Sequence, residues 1–403
     1  MKFKPIVKSL LDTDFYKFNM NQVIFHKHTD ATGEYHFKCR NEGIIWTDEM
    51  VNEINEQIDS LCSLRFKKDE LDYLRSIRFI KNDYVEFLRL WHPIREYVDC
   101  HKEGNNLVCV VKGPCFSAMQ FEIYLLEIIN EVYFRMKYDY NELLKGARER
   151  LAEKIKKLND GTYTFHFAEF GCRRRLSFEW QEEMVHELVT KTDKCVGTSN
   201  VYLAKKFNIK PIGTFAHEFV QMYQGYPNIP LAYTNHHALK DWFAEYQGDN
   251  GTALTDTLTT DLFLLDFTFL DASCYSGVRH DSGDPYEWGE KMIAHYKKLH
   301  IDPKTKTLMF SDSLNFDKAQ KLYDYFKDRT KVSFGIGTYC ANDTGVEPLN
   351  IVIKLQKIND RPVAKLSDND GKTMCLDDDY LSYLRRAVEY RIKEEKALKE
   401  LNK

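Results

Sequence analysis

Polar and apolar residues alternate strictly over residues 33–40, with Tyr35, Phe37 and Cys39 on one side and Glu34, His36, Lys38 and Arg40 on the other. A period of two predicts a half-buried strand. Residues 12–28 instead repeat at helical spacing, with Phe15, Phe18 and Ile24 among the apolar positions and Asp12 or Thr13 placed to cap. Val51, Ile54, Ile58 and Leu61 keep the helical period, residues 95–100 and 107–111 predict a hairpin joined through Glu103-Gly104-Asn105-Asn106, and residues 117–135 predict a buried helix. The pattern then changes. Short apolar runs end in polar clusters and are followed by helical patterns, about seven times between residues 163 and 338. The clusters include Gly171-Cys172-Arg173-Arg174-Arg175, Gly197-Thr198-Ser199-Asn200, Gly213-Thr214, Thr255-Asp256, Ser311-Asp312-Ser313 and Gly335. Repeated β-then-α predicts a parallel sheet with polar residues gathered at the strands' carboxyl ends, where such folds bind ligands. A β/α barrel and an open doubly wound sheet both satisfy this pattern. Residues 350–357 and 361–366 predict a strand pair turning at Asn359-Asp360-Arg361-Pro362, and the charged tail after 380 predicts a solvated or frayed helix.

The 403 residues exceed what one ordinary core organises, so two units or a large barrel with additions are expected. A net charge of −4 argues against a protein that coats nucleic acid, while leaving room for a local basic pocket. No stretch approaches the roughly 18 uncharged apolar residues of a membrane span, and no signal-type apolar region follows the first five residues, so a cytoplasmic protein with no membrane association is expected. The ten cysteines form no C-x-x-C pair. Free thiols in a reducing compartment are expected rather than a zinc site.

The densest chemistry lies in Arg279-His280-Asp281-Ser282-Gly283-Asp284-Pro285. Asp284 suits an N-cap and Pro285 the first helical position. The same stretch offers a cation, carboxylates, a hydroxyl and a permissive glycine to a phosphorylated sugar. Gly335-Ile336-Gly337-Thr338 follows an apolar run and reads as a phosphate cradle. Three arginines at 173–175 suit a diphosphate, because guanidinium pairs bidentately with phosphate oxygens. His217 begins a helical pattern and suits a base, a phosphoryl acceptor or a core position. Asp281, Asp284 and Asp312 at strand ends suit Mg2+ held mainly through substrate oxygens, with no residue assigned as a dedicated metal ligand. Neither a Walker-type nor a dinucleotide-binding glycine motif is present.

Together with Leu11-Asp12-Thr13-Asp14-Phe15-Tyr16-Lys17 and Gly213-Thr214-Phe215-Ala216-His217-Glu218, these segments resemble the bacterial-type nicotinate phosphoribosyltransferases over nearly the full length. The resemblance implies an irregular β/α barrel of the type II phosphoribosyltransferase kind, with an α/β domain built from both chain ends. The implied boundaries are 1–135 for the N-terminal domain, 136–345 for the barrel and 346–403 for a segment packing with the N-terminal domain. The implied reaction transfers phosphoribosyl from 5-phosphoribosyl 1-diphosphate to nicotinate in NAD salvage. ATP is a co-substrate acting through a phosphohistidine at His217, Mg2+ is a cofactor, and the enzyme is a homodimer with shared active sites. Arg279, Asp281 and His217 are implied to be catalytic. Tyr16, Phe170, Thr214, Ser199 and Arg279 are implied to bind nicotinate, with Tyr16 reaching into the neighbour's site. Arg173, Asp281, Ser282, Gly283, Gly335, Gly337, Thr338 and Lys354 are implied to bind phosphoribosyl, with help from Lys365, and Arg40 contributes to the partner subunit. Nicotinamide-using relatives carry an aspartate where this chain has Ser199, so nicotinate is favoured over the amide. Transfer to nicotinamide or quinolinate, and a non-catalytic nucleotide-binding protein, are the competing expectations.

Overall fold

A computed structural model describes residues 4–369 and 373–401. The very start of the chain, read above for a signal segment, therefore lies partly outside the described residues. The N-terminal part supplies β1 (Thr32–Cys39), β2 (Val98–Glu103) and β3 (Asn106–Pro114). The middle supplies β4 (Phe167–Glu169), β5 (Cys195–Thr198), β6 (Thr252–Leu254), β7 (Gly277–His280), β8 (Thr307–Phe310) and β9 (Lys331–Ile336). The C-terminal part supplies β10 (Ile351–Ile358) and β11 (Arg361–Pro362). Two sheets result. One is antiparallel in the order β11-β10-β1-β3-β2, and the other is six-stranded in the order β5-β4-β9-β8-β7-β6, with every pairing parallel.

The parallel sheet bends into a ring. Beyond β5 a bridge pairs Thr198 with Pro211, and across the remaining gap the Thr214 hydroxyl donates to the Thr252 carbonyl at 2.8 Å. A side chain thus closes what ladder bonds close elsewhere, and the barrel is irregular at this seam. The antiparallel sheet joins both ends of the chain, since β1 pairs with β10 along seven residues from Gly33 to Cys39. Arg174 ties this sheet to the ring by donating to the Ile351 carbonyl and to Asn350.

Several local expectations shift. The N-terminal helix begins at Phe15, because Asp12 is drawn off to Arg175 and Asn200 and Asp14 to Ser199. The apolar run at 117–135 is interrupted at Met119-Gln120, giving helices Cys115–Ala118 and Phe121–Lys137. The hairpin turns at Gly104-Asn105, with Glu103 opposite Asn106. The strand expected over 361–366 ends at Pro362 as part of β11; past it, the Ala364 backbone is paired by the Gln224 side chain, which leads the chain toward the ring. The final helix, Asp378–Leu401, is no frayed end. Its Leu384 and Val388 pack with Leu258 and Leu262, and Arg391 pairs with Asp266 at 2.5 Å. Only the strands of the 346–403 segment join the N-terminal sheet. The helix packs on the ring, because its apolar stripe has buried partners there. All ten cysteines are free, and no described helix is long and apolar enough to cross a membrane.

Candidate active site

The carboxyl ends of the ring strands open beneath β1 and β10. A cavity of about 380 Å³ lies there, walled by Phe170, Arg173, Arg174, His217, Arg279, Asp281 and Asp312 from the ring and by Arg40, Lys354 and Lys365 from the C- and N-terminal segments. A smaller cavity of about 80 Å³ adjoins it, lined by Asp14, Tyr16, Phe170, Arg173, Ser199, Thr214, Arg279 and the apolar Ile212 and Met309. Phe170, Arg173 and Arg279 belong to both. The small cavity suits a flat ring with one polar substituent, and the larger one suits a polyanion.

The charges explain the second assignment. Arg40, Arg173 and Arg174 crowd together: burial, then repulsion from Arg173 and Arg40, lowers Arg174 to about 9, and burial lowers Arg40. Like charges gathered in a partly desolvated cleft are favourable only with an anion among them. Arg175 does not join the clamp. It is fully buried, bidentate to Asp12 at 2.6 and 2.8 Å and 3.2 Å from Glu127, so it welds the ring to the N-terminal segment.

At the floor, His217 Nε2 lies 2.9 Å from Asp256 Oδ1 and 3.6 Å from Asp281 Oδ2. Lys365 Nζ lies 2.8 Å from Asp256 and 3.6 Å from Asp281. Burial lowers the His217 pKa and the Lys365 charge lowers it further, favouring neutral imidazole. Burial alone would raise Asp281, but Lys365, Arg279 and His217 hold it well below the usual carboxylate range. His217, Asp256 and Asp281 bring three ligand atoms within 4.8 Å of one another. The Lys365 ammonium already pairs with both carboxylates, so the donor set is poorly suited to a closed metal cage. Asp281 and Asp312 face the cavity, and carboxylates there fit a cation shared with a bound anion.

The glycines of the expected phosphate cradle have a second use. A Cβ on Gly335 would lie 2.4 Å from the Phe170 ring, and one on Gly337 2.6 Å from the Phe170 carbonyl. These glycines let Phe170 lie flat against β9 while still lining the cavity beside Thr338. Ser282 and Gly283 are placed elsewhere. The Ser282 hydroxyl donates to Asp256, and Gly283 backs onto Asp368, both facing a separate groove of about 580 Å³ under the final helix. The sharp turn after β7 sends these two residues behind the carboxylates rather than over the cavity.

Tyr16 and Arg40 both line cavities together with ring residues of the same chain. The bridge between Asp14 and Asn200 pins Tyr16 over the ring mouth, and the β1–β10 pairing brings Arg40 in. Ser199 is not a bare replacement for an acid: its hydroxyl donates to the buried Asp14 carboxylate. The ring cavity therefore contains one acid, opposed by Arg173 and Arg279. Sequence reasoning missed the roles of Asp256 and Asp14. Both sit in polar clusters next to predicted elements, but a lone aspartate there is as readily a cap.

A closed ring of parallel strands with a cation-lined mouth and a lid from both chain ends is the type II phosphoribosyltransferase-like fold. Residues 165–392 match the model of the nicotinate phosphoribosyltransferase (NAPRTase) family, and residues 11–130 match that family's N-terminal domain. A nicotinate phosphoribosyltransferase of Chromobacterium violaceum is 48% identical over 394 residues, covering 96% of this chain and 98% of its own. One from Acinetobacter baumannii is 48% identical over 401 residues, with the same coverage of both chains. The crystal structure of nicotinate phosphoribosyltransferase from Vibrio cholerae has a TM-score of 0.89 at 36% identity, covering 98% of each chain. That from Porphyromonas gingivalis has a TM-score of 0.86 at 33% identity, covering 95% of this chain and all of its own. The chain belongs to the nicotinate phosphoribosyltransferase family, a family of enzymes.

Proposed function

We propose that the chain transfers phosphoribosyl from 5-phosphoribosyl 1-diphosphate to nicotinate and couples this to ATP through a phosphohistidine at His217. The observation that carries the reading is the convergence of six cations, Arg40, Arg173, Arg174, Arg279, Lys354 and Lys365, on one cavity that opens into a small aromatic-walled pocket. Nicotinate lies between Phe170 and Tyr16 with its carboxylate toward Arg279. The ring nitrogen attacks C1 of the ribose, the C1–O bond to diphosphate breaks and the C1–N bond forms. The arginines receive the departing diphosphate, and Asp281 holds the ribose hydroxyls and stabilises the developing positive charge. Asp281 and Asp312 would hold Mg2+, which when bound would neutralise charge on the diphosphate.

For the ATP step, Asp256 accepts the Nε2 proton of His217, which leaves the Nδ1 lone pair for the γ-phosphorus of ATP. ADP leaves, and the phosphoryl group later passes to water. The depressed His217 pKa supports this role, because a nucleophile must be neutral. Lys365 and Lys354 lie where they can offset the phosphoryl charge.

The test is product formation from nicotinate and 5-phosphoribosyl 1-diphosphate with Mg2+, with and without ATP, beside a parallel reaction on nicotinamide. Nicotinate mononucleotide that rises with ATP, and little product from nicotinamide, is the expected result. Product from nicotinamide alone moves the reading to the amide. Binding without turnover leaves a nucleotide-binding protein.

A further inference from the structure

A chain of alternating charges runs behind the cavity wall. Arg173 Nη1 lies 3.9 Å from Glu122 Oε1. The Glu122 carboxylate lies 2.6 Å from Lys17 Nζ, and the same ammonium hydrogen-bonds Glu218. Lys17 and Glu218 are the sequence neighbours of Tyr16 and His217. Lys17 is completely buried, and Glu218 is nearly so. The four charges sum to zero, so the row is balanced only while each member keeps its neighbours. Glu122 also faces a small cavity shared by Tyr16, Arg173 and His217. One row thus touches the residue beside the ring-stacking tyrosine, the phosphate-facing arginine and the residue beside the reactive histidine.

We infer that the Lys17–Glu122–Glu218 row couples occupancy of the nicotinate and diphosphate sites to the position of His217, with Lys17 and Glu218 acting as positioning residues. This rests on the phosphohistidine reading above. The physical argument is competition for charge. An anion engaging Arg173 weakens its long contact with Glu122. Glu122 then draws Lys17 more strongly, and Glu218 loses part of the pull of its ion-pair partner Lys17. Glu218 lies in the first turn of helix His217–Gln221, so a changed pull on it moves the imidazole. Burial, with the Glu122 charge beside it, lifts Glu218 to about 7 against the pull of Lys17 and a hydrogen bond with Tyr35.

The experiment measures ATP hydrolysed per nicotinate mononucleotide formed, in the full-length wild type and in Glu218→Gln, Lys17→Gln/Glu218→Gln and Glu122→Gln. Glutamine keeps the size of each side chain, and thermal unfolding checks that each variant is folded. In Glu218→Gln the expected ratio rises at least threefold, with the ATP-independent rate kept within about twofold. The double variant is expected to add little more, because both residues act in one row. Glu122→Gln is expected to raise the ratio as well, and it tests the inference if the buried Glu218 variants fail to fold. A merely structural role would lower the rates with and without ATP together and leave the ratio unchanged; that result overturns the inference. A wild type indifferent to ATP overturns both the phosphohistidine reading and this inference, whereas an ATP-stimulated wild type with unchanged variant ratios overturns the inference alone.

Discussion

His217 is held by three neighbours of opposite character: Asp256 at its Nε2, Asp281 close by and Lys365 beyond both. The histidine and Lys365 give separable predictions. His217→Ala is expected to abolish ATP stimulation while slow transfer continues, because the arginines and Asp281 that stabilise transfer are untouched; product assays with and without ATP decide it. In Lys365→Met one of the two causes that lower the His217 pKa is gone. The histidine then protonates at higher pH, so the acid limb of the ATP-dependent rate is expected to move to higher pH. A pH–rate profile of both proteins reads this. Ser199→Asp would set a second carboxylate beside Asp14 in the ring cavity. Nicotinate KM is expected to rise about tenfold or more through like-charge repulsion, with the preference over nicotinamide reduced.

The ring depends on how its elements meet. The seam between the Pro211–Thr214 segment and β6 is held by the Thr214 hydroxyl rather than by a backbone ladder. Thr214→Val keeps the shape and removes the donor, so a loss of roughly 1 kcal/mol of stability is expected, while Thr214→Ser retains it. Chemical denaturation of the two variants tests this. The same scale shows what local pattern conveyed. The alternation over 33–40 appears as β1, and the apolar runs at 252–254 and 307–310 appear as β6 and β8, because side-chain period reports directly on which face is buried. The interruption at Met119-Gln120 and the early end of β11 did not show in the pattern. Both are set by partners elsewhere, including Gln224, which captures the Ala364 backbone.

At the scale of the whole molecule, both ends of the chain reach the cavities, with Tyr16 and Arg40 from its beginning and Lys354 and Lys365 from its end. In a homodimer with shared active sites, specific activity per chain is expected to fall on dilution through the dimer–monomer transition, measured from micromolar to nanomolar enzyme. Activity that stays constant through dissociation would show that one chain completes the site.

The amino-acid sequence by itself determined the repeated β-then-α order and the polar clusters at the strands' ends. Those clusters contain Phe170, Arg173, His217, Arg279 and Asp281, which line the cavity. Residue type and spacing carry that information because each element buries its apolar face and leaves its carboxyl-end turn polar. Only the tertiary structure decided which distant residues meet. It set Asp14 against Ser199, turned Arg175 inward to Asp12 and Ser282 back to Asp256, brought Lys365 to His217, and docked the final helix on the ring. These pairings follow from closing the ring and joining β1 to β10, and the energy of such contacts depends on separation in space, to which local periodicity is blind.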